Sequence, residues 1–351
     1  MTSDPRLLSL ATAVPPYRLS QGEVAAMAPQ LFSRRQSEID RLMPVYDNAG
    51  IATRYSCVPA EWYLKASNWR ARNALYLDNA LDLIQAAADR ALNAADLAPD
   101  QIDTLVTVST TGIATPSLDA RLMDRMAFRR DLQRLPVFGL GCAGGVLGLA
   151  RAAALARAAP GSRVLILVVE LCGLTFRNGD QAKSNIIASA LFGDGAAAAV
   201  LTCDTRQAGP SLTAWGEHTW PNSLEVMGWH VEDDGLGVVF SRDIPTILRQ
   251  RFGAALDRFL ARQALTRSDI AGYVCHPGGT KVIEALEEVL GLAPGAMTLA
   301  RGVLQDYGNM SAASLLFVLE RALVQGLSGR QLLTALGPGF TAGFLLLEAE
   351  P

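Results

Sequence analysis

Half of the 351 residues are hydrophobic, enough for a large core and two lobes, yet no apolar run reaches membrane-spanning length without interruption. A net charge of −3 with scattered arginines argues against a nucleic-acid surface. The cysteines Cys57, Cys142, Cys172, Cys203 and Cys275 are odd in number and form no CxxC pair, so reduced cytoplasmic thiols and no metal site are expected. Residues 1–5 show no basic-then-apolar signal pattern.

In chain order, residues 6–14 predict an opening strand that stops at Pro15-Pro16. Residues 20–45 predict an amphipathic helix with Arg34, Arg35, Asp40 and Arg41 on its solvated side, and residues 51–58 a short strand or arm. Residues 68–95 predict a long Ala/Leu helix, and residues 102–108 a buried strand running into Ser109-Thr110-Thr111-Gly112. Residues 136–138 read as a short strand, followed by the turn Gly139-Leu140-Gly141-Cys142-Ala143-Gly144-Gly145 and a buried helix to Ala159. Residues 163–170 (RVLILVVE) are the clearest buried strand, delivering Cys172 and Thr175. A helix over 185–191, the turn Phe192-Gly193-Asp194-Gly195 and a strand over 196–202 follow. Residues 203–242 predict short strands and loops, 244–263 an amphipathic helix, 271–276 a strand and 281–290 a helix. The end of the chain predicts a helix over 311–324, a strand over 331–336, the turn Gly337-Pro338-Gly339 and a closing strand over 344–347.

Cys142 thus sits between a strand and a helix N-terminus, where free N–H groups and the positive dipole end favour a thiolate. A packed structural cysteine fits the same stretch until a base and an oxyanion donor are found elsewhere. An internal similarity supplies both. The strand before Cys142 leads it by about the interval at which the strand ending at Cys275 leads Asn309, and Cys142 and Asn309 each follow a glycine and open an apolar helix. Two duplicated α/β units are expected, with strands ending at a shared surface that brings Cys142, His276 and Asn309 together. His276, at a strand end against Pro277-Gly278-Gly279, has the position of a base, although a structural histidine is the commoner case. Asn309 fits a helix cap or an oxyanion donor. Cysteine, histidine and asparagine suffice for acyl transfer and for stabilising the enolate left when a malonyl thioester loses carbon dioxide.

GCAGG around Cys142, ALFGDGAAAAVL at 190–201, CHPGG at 275–279, GNMSAAS at 308–314 and LGPGF at 336–340 together resemble the chalcone/stilbene synthases, the type III polyketide synthases. The resemblance covers nearly the whole chain. It implies a thiolase-like layered α/β/α/β/α fold from two duplicated halves, residues 1–225 with nucleophile Cys142 and 226–351 with His276 and Asn309. It further implies a homodimer that loads an acyl-CoA onto Cys142 and extends it with malonyl-CoA, with no cofactor and no acyl carrier protein. By motif position Phe192 resembles the gatekeeper between CoA tunnel and acyl cavity, Gly337, Pro338 and Gly339 the loop shaping the cyclisation pocket, and Ser311 a cavity-lining residue. Val238 stands where plant members carry a second gatekeeper Phe, with Phe240 nearby. Of three basic CoA-gripping residues only Arg41 is kept, Pro44 and Asn48 standing at the others. Thr115 replaces a Met that reaches across the plant dimer, and Thr111 and Cys172 stand at neighbouring cavity positions, with Thr175 beyond. This combination resembles the alkylpyrone/alkylresorcinol synthases, which hold long fatty acyl starters in an extra tunnel. A ketoacyl synthase III using a carrier protein, or a short or aromatic starter, are the alternatives.

Overall fold

The computed structural model describes residues 3–32, 41–204 and 206–350. Thirteen strands are found among them: β1 (Arg6–Ala13), β2 (Tyr17–Ser20), β3 (Thr53–Ser56), β4 (Thr104–Val108), β5 (Gln133–Val137), β6 (Arg163–Leu171), β7 (Asp194–Thr202), β8 (Ser211–Thr219), β9 (Met227–Glu232), β10 (Gly235–Phe240), β11 (Gly272–Cys275), β12 (Gly329–Gly337) and β13 (Thr341–Ala349). Nine form one sheet in the order β11-β12-β13-β8-β1-β7-β6-β4-β5. β2 pairs with β3, and β9 with β10, as separate two-stranded ribbons.

The sheet contains the same motif twice. β7 lies antiparallel between β1 and β6, and β4 runs parallel to β6; β13 likewise lies antiparallel between β8 and β12, and β11 runs parallel to β12. The two repeats meet through β1 and β8 at Arg6 and Ser211. β6 and β7 are buried almost throughout, so their uninterrupted Val, Leu, Ile and Ala runs mark strands covered on both faces.

The helices Gly144–Ala158 and Ala312–Gln325 occupy equivalent places in the two repeats and pack together between the two parts of the sheet. Glycine makes this approach possible. A Cβ on Gly145 would lie 2.4 Å from the Ala312 carbonyl oxygen. The helix Trp69–Ala94, capped by Asn68 accepting from the Ala71 N–H, covers the outer face of β1, β6 and β7. On the other outer face Phe252 and Phe259 pack on Phe344 of β13. The succession helix, sheet, helix pair, sheet, helix is the five-layered arrangement expected.

Several elements differ in detail from expectation. The first helix is Gln21–Leu31, ending where Phe32 turns extended; a short helix follows at Pro44–Asp47, and Arg34, Arg35 and Asp40 lie outside the described residues. The predicted helix over 244–263 contains a π-helical stretch at Leu248–Phe252. The helix Thr298–Tyr307 has no side-chain N-cap, so nothing in the sequence announces its start. Residues 203–242 resolve into β8, β9 and β10.

Candidate active site

Cys142 lies in a 3-10 turn, Gly141–Ala143, immediately ahead of the helix Gly144–Ala158. Gly141 has φ +48° and sits so close to Pro338 that a Cβ would come within 2.6 Å of its ring. The Gly337-Pro338-Gly339 turn is thereby fixed against the nucleophile turn, with Gly337 against the Leu140 carbonyl. His276 follows β11 and its N–H donates to the Thr334 carbonyl at 2.9 Å. Asn309 follows Gly308; its N–H donates to the Leu191 carbonyl (2.8 Å), and its carbonyl accepts from the Gly193 N–H (3.0 Å). Cys142, His276 and Asn309 all border one cavity of about 380 Å³, closed on its apolar side by Met227, Phe240 and Val282.

The Asn309 amide is not spent on capping. Ser311 is the N-cap of the following helix, while Asn309 Oδ1 accepts from the Ser311 N–H (2.8 Å) and Nδ2 donates to the Gly278 carbonyl (3.1 Å). One Nδ2 hydrogen therefore remains for a substrate oxygen. Ser311 adopts φ +49°, a strained conformation for a residue with a side chain, held by that bond and by the Met310 N–H donating to Ser314 Oγ (2.7 Å).

Burial pushes the Cys142 thiol up to about 12 and pulls the His276 imidazole down to about 3. Each group alone is thus neutral. Both His276 ring nitrogens are buried without hydrogen-bond partners, and the thiol opens on the same cavity.

A second chamber of about 430 Å³ opens on the other side of Cys142, lined by Cys172, Phe192, Trp229, Val238, Ser311 and Pro338 among others. Beyond it lies a third cavity of about 660 Å³, sharing Cys172, Phe192 and Val238 and containing Thr175. Phe192 and Val238 thus stand between the two, the arrangement a gate needs. Thr111 is buried and faces none of the three cavities; its Oγ1 donates to Glu170 (2.9 Å) and accepts from the Leu171 N–H (2.9 Å). Thr115, at the position expected to reach across a dimer, is solvent-exposed and borders none of this chain's own three cavities. Its loop is drawn outward, where Ile113 exchanges two hydrogen bonds with Asn73 of the outer helix. Arg41 is exposed and likewise outside these cavities.

Three residues of the site escape sequence reasoning. Trp229 lines the second chamber and donates from Nε1 to the Thr110 carbonyl (3.0 Å). Arg54, on β3, borders the third cavity. Glu170, fully buried at the end of β6, accepts from the Thr110 N–H (3.0 Å), Thr111 Oγ1 (2.9 Å) and Ser311 Oγ (3.3 Å). The signal is present in the sequence: a lone carboxylate ending an otherwise apolar strand. Burial outweighs these donors and raises its pKa from 4.5 to about 7. Because the folded state holds the proton more tightly, this group's stabilising contribution is complete below about pH 4.5 and is lost as pH rises through about 7. Between those values the shift corresponds to roughly 3 kcal/mol. Urea unfolding from pH 4.5 to 8 should therefore show wild type losing stability relative to Glu170→Gln by that order. Parallel profiles would contradict the assignment.

A glycine turn presenting a cysteine, a buried histidine and a free amide hydrogen, all on one cavity of a duplicated five-layer fold, define an acyl-condensing enzyme of the thiolase fold. The chain belongs to the chalcone and stilbene synthase family: residues 3–205 match the description "Chalcone and stilbene synthases, N-terminal domain" and residues 212–350 the corresponding C-terminal domain. It is 37% identical to a "Putative chalcone synthase" of Bacillus subtilis, with 98% of each chain covered. It is 39% identical to the 1,3,6,8-tetrahydroxynaphthalene synthase of Streptomyces peucetius, over 96% of this chain and 91% of that one. Among solved structures, the Streptomyces coelicolor tetrahydroxynaphthalene synthase superposes with a TM-score of 0.93 at 28% identity, and PKS-I of the brown alga Ectocarpus siliculosus with 0.90 at 27%, each covering 99% of both chains. The protein is an acyltransferase of the type III polyketide synthase class. No helix among the described residues is long and apolar enough to cross a membrane.

Proposed function

We propose that this enzyme loads a long-chain fatty acyl-CoA onto Cys142, extends it with malonyl-CoA and cyclises the product to an alkylpyrone or alkylresorcinol. Cys142 attacks the starter carbonyl after its proton passes to His276, and the CoA thiolate leaves with that proton. Malonyl-CoA then loses carbon dioxide, the electron pair forming an enolate whose oxygen is held by His276 and Asn309. The enolate carbon attacks the Cys142 thioester, releasing the sulfur and leaving a β-ketoacyl-CoA for the next round. No cofactor or acyl carrier protein enters this scheme.

The observation that carries the long-chain reading is the cavity beyond Cys172. Leu19, Val24, Met27, Leu31 and Phe176 give it apolar walls, the lining an aliphatic chain requires. An acyl chain entering it gains about 0.8 kcal/mol per buried methylene, nearly fourfold in affinity. Measured from acetyl- to stearoyl-CoA, kcat/KM should climb with chain length until the cavity is full and then fall. Cys172→Phe should shorten the preferred chain while short starters remain accepted. A flat profile, or 1,3,6,8-tetrahydroxynaphthalene as the product, would overturn the long-chain reading and leave the family assignment standing.

We also infer a cytoplasmic homodimer. The loops leaving the paired strands β4 and β5 carry Ile113 and Phe138, 51% and 58% exposed, and exposed apolar side chains at one sheet edge suit a partner subunit. Thr115 lies on the first of these loops.

A further inference from the structure

Arg54, on β3, is 4% exposed; among the described residues its guanidinium hydrogen-bonds to neutral groups, while the buried Asp194 carboxylate acts on it through space. It is used as a fork on backbone carbonyls. Nη1 donates to Ser189 O (2.7 Å) and Phe192 O (3.0 Å), and Nη2 donates to Ala190 O (2.8 Å) and to the Gln21 side-chain oxygen. Gln21 in turn donates to the carbonyls of Tyr46 (2.9 Å) and Ala190 (3.1 Å). The carbonyls of Ser189, Ala190 and Phe192 are ones that the end of the helix Lys183–Leu191 leaves without intrahelical partners, and a cation there also suits the helix dipole.

The carbonyl between them, that of Leu191, is the one that accepts the Asn309 N–H. Of the four consecutive carbonyls from 189 to 192, Arg54 thus holds three, and the backbone of Asn309 binds the fourth. Glycine keeps the two segments close beside the arginine: a Cβ on Gly193 would lie 2.3 Å from the Tyr307 carbonyl oxygen, and one on Gly308, where φ is +70°, 2.9 Å from the Leu191 carbonyl oxygen. We propose that Arg54 is the positioning residue that sets the gate Phe192 and the amide of Asn309 in register with each other. This rests on the roles proposed above for those two residues.

Lysine keeps the charge but presents a single point, not a planar fork, and cannot span three carbonyls. A misplacement of about 1 Å far from the chemistry costs on the order of 100-fold. In purified Arg54→Lys, malonyl-CoA decarboxylation should fall ~30- to 100-fold, while acylation of Cys142 by an acyl-CoA, followed by intact mass, should fall less than about fivefold. A merely structural role lowers both together with the folded fraction, so proportional losses, or no loss, overturn the proposal. Should Arg54→Lys not fold, Gln21→Leu carries the same test: it removes one guanidinium acceptor and should shift the ratio of the two activities in the same direction, an unchanged ratio overturning the proposal. Wild-type and Asn309→Ala controls separate the two failures. A wild type inactive on malonyl-CoA, or an Asn309→Ala that matches it, refutes the reaction reading itself and the positioning role with it; a split present in Asn309→Ala but absent in the Arg54 and Gln21 variants refutes the positioning role alone.

Discussion

Cys142→Ala should yield a folded protein that accepts no acyl group and forms no polyketide, a loss on the order of a million-fold, as when a covalent nucleophile is removed. Malonyl-CoA decarboxylation should persist in it, because that step uses the oxyanion donors and not the sulfur. An acyl group found by intact mass on Cys172 or Cys275 in the wild type would refute the assignment; Cys172 in particular borders the same chamber as Cys142. The partner of the sulfur is tested by alkylation. Burial alone keeps the thiol protonated, so reactivity toward iodoacetamide near pH 6 requires His276 as proton acceptor. That reactivity should be present in wild type and lost in His276→Ala; equal rates for the two would rule out the pair.

Asn309→Ala is expected to slow malonyl-CoA decarboxylation and condensation ~100- to 1000-fold, the usual consequence of deleting one oxyanion donor. Starter loading should suffer far less, because the thiol and imidazole remain in place. The variant also removes the acceptor of the Ser311 N–H and the donor to the Gly278 carbonyl. Asn309→Asp is therefore the sharper control: it keeps the acceptor that holds Ser311 but offers no amide hydrogen. If Asn309→Asp decarboxylates malonyl-CoA at the wild-type rate, the amide is not the donor.

Cys142, His276 and Asn309 were legible because each stands beside glycine where a regular apolar pattern stops, and the duplicated spacing implies that these stops coincide in space. The fold followed from the same regularity, since uninterrupted apolar strands must be covered on both faces. What stayed hidden depends on backbone atoms or on distant partners. The donors of Arg54 go to main-chain carbonyls, which leave no residue pattern. Trp229 reaches the site only because β9 and β10 fold over it. Thr111 matched a cavity position by sequence, but its side chain is turned to Glu170, fifty-nine residues away. The π-helical stretch at Leu248–Phe252 lies inside an amphipathic pattern that reads equally well without it.

The meeting of β1 with β8, and of the two buried helices between the sheet's parts, has a consequence for how water is kept from the reacting carbanion. With one sheet running through both repeats and a shared helical layer inside it, no flexible joint separates the half that carries the sulfur from the half that carries the imidazole and amide. Such an enzyme cannot shut like a jaw around its substrates. Dryness has to be built into permanent walls. On the cyclising reaction proposed above, a growing chain would have to take the shape those walls already have, and the outline of the cavity would itself be the template for the ring.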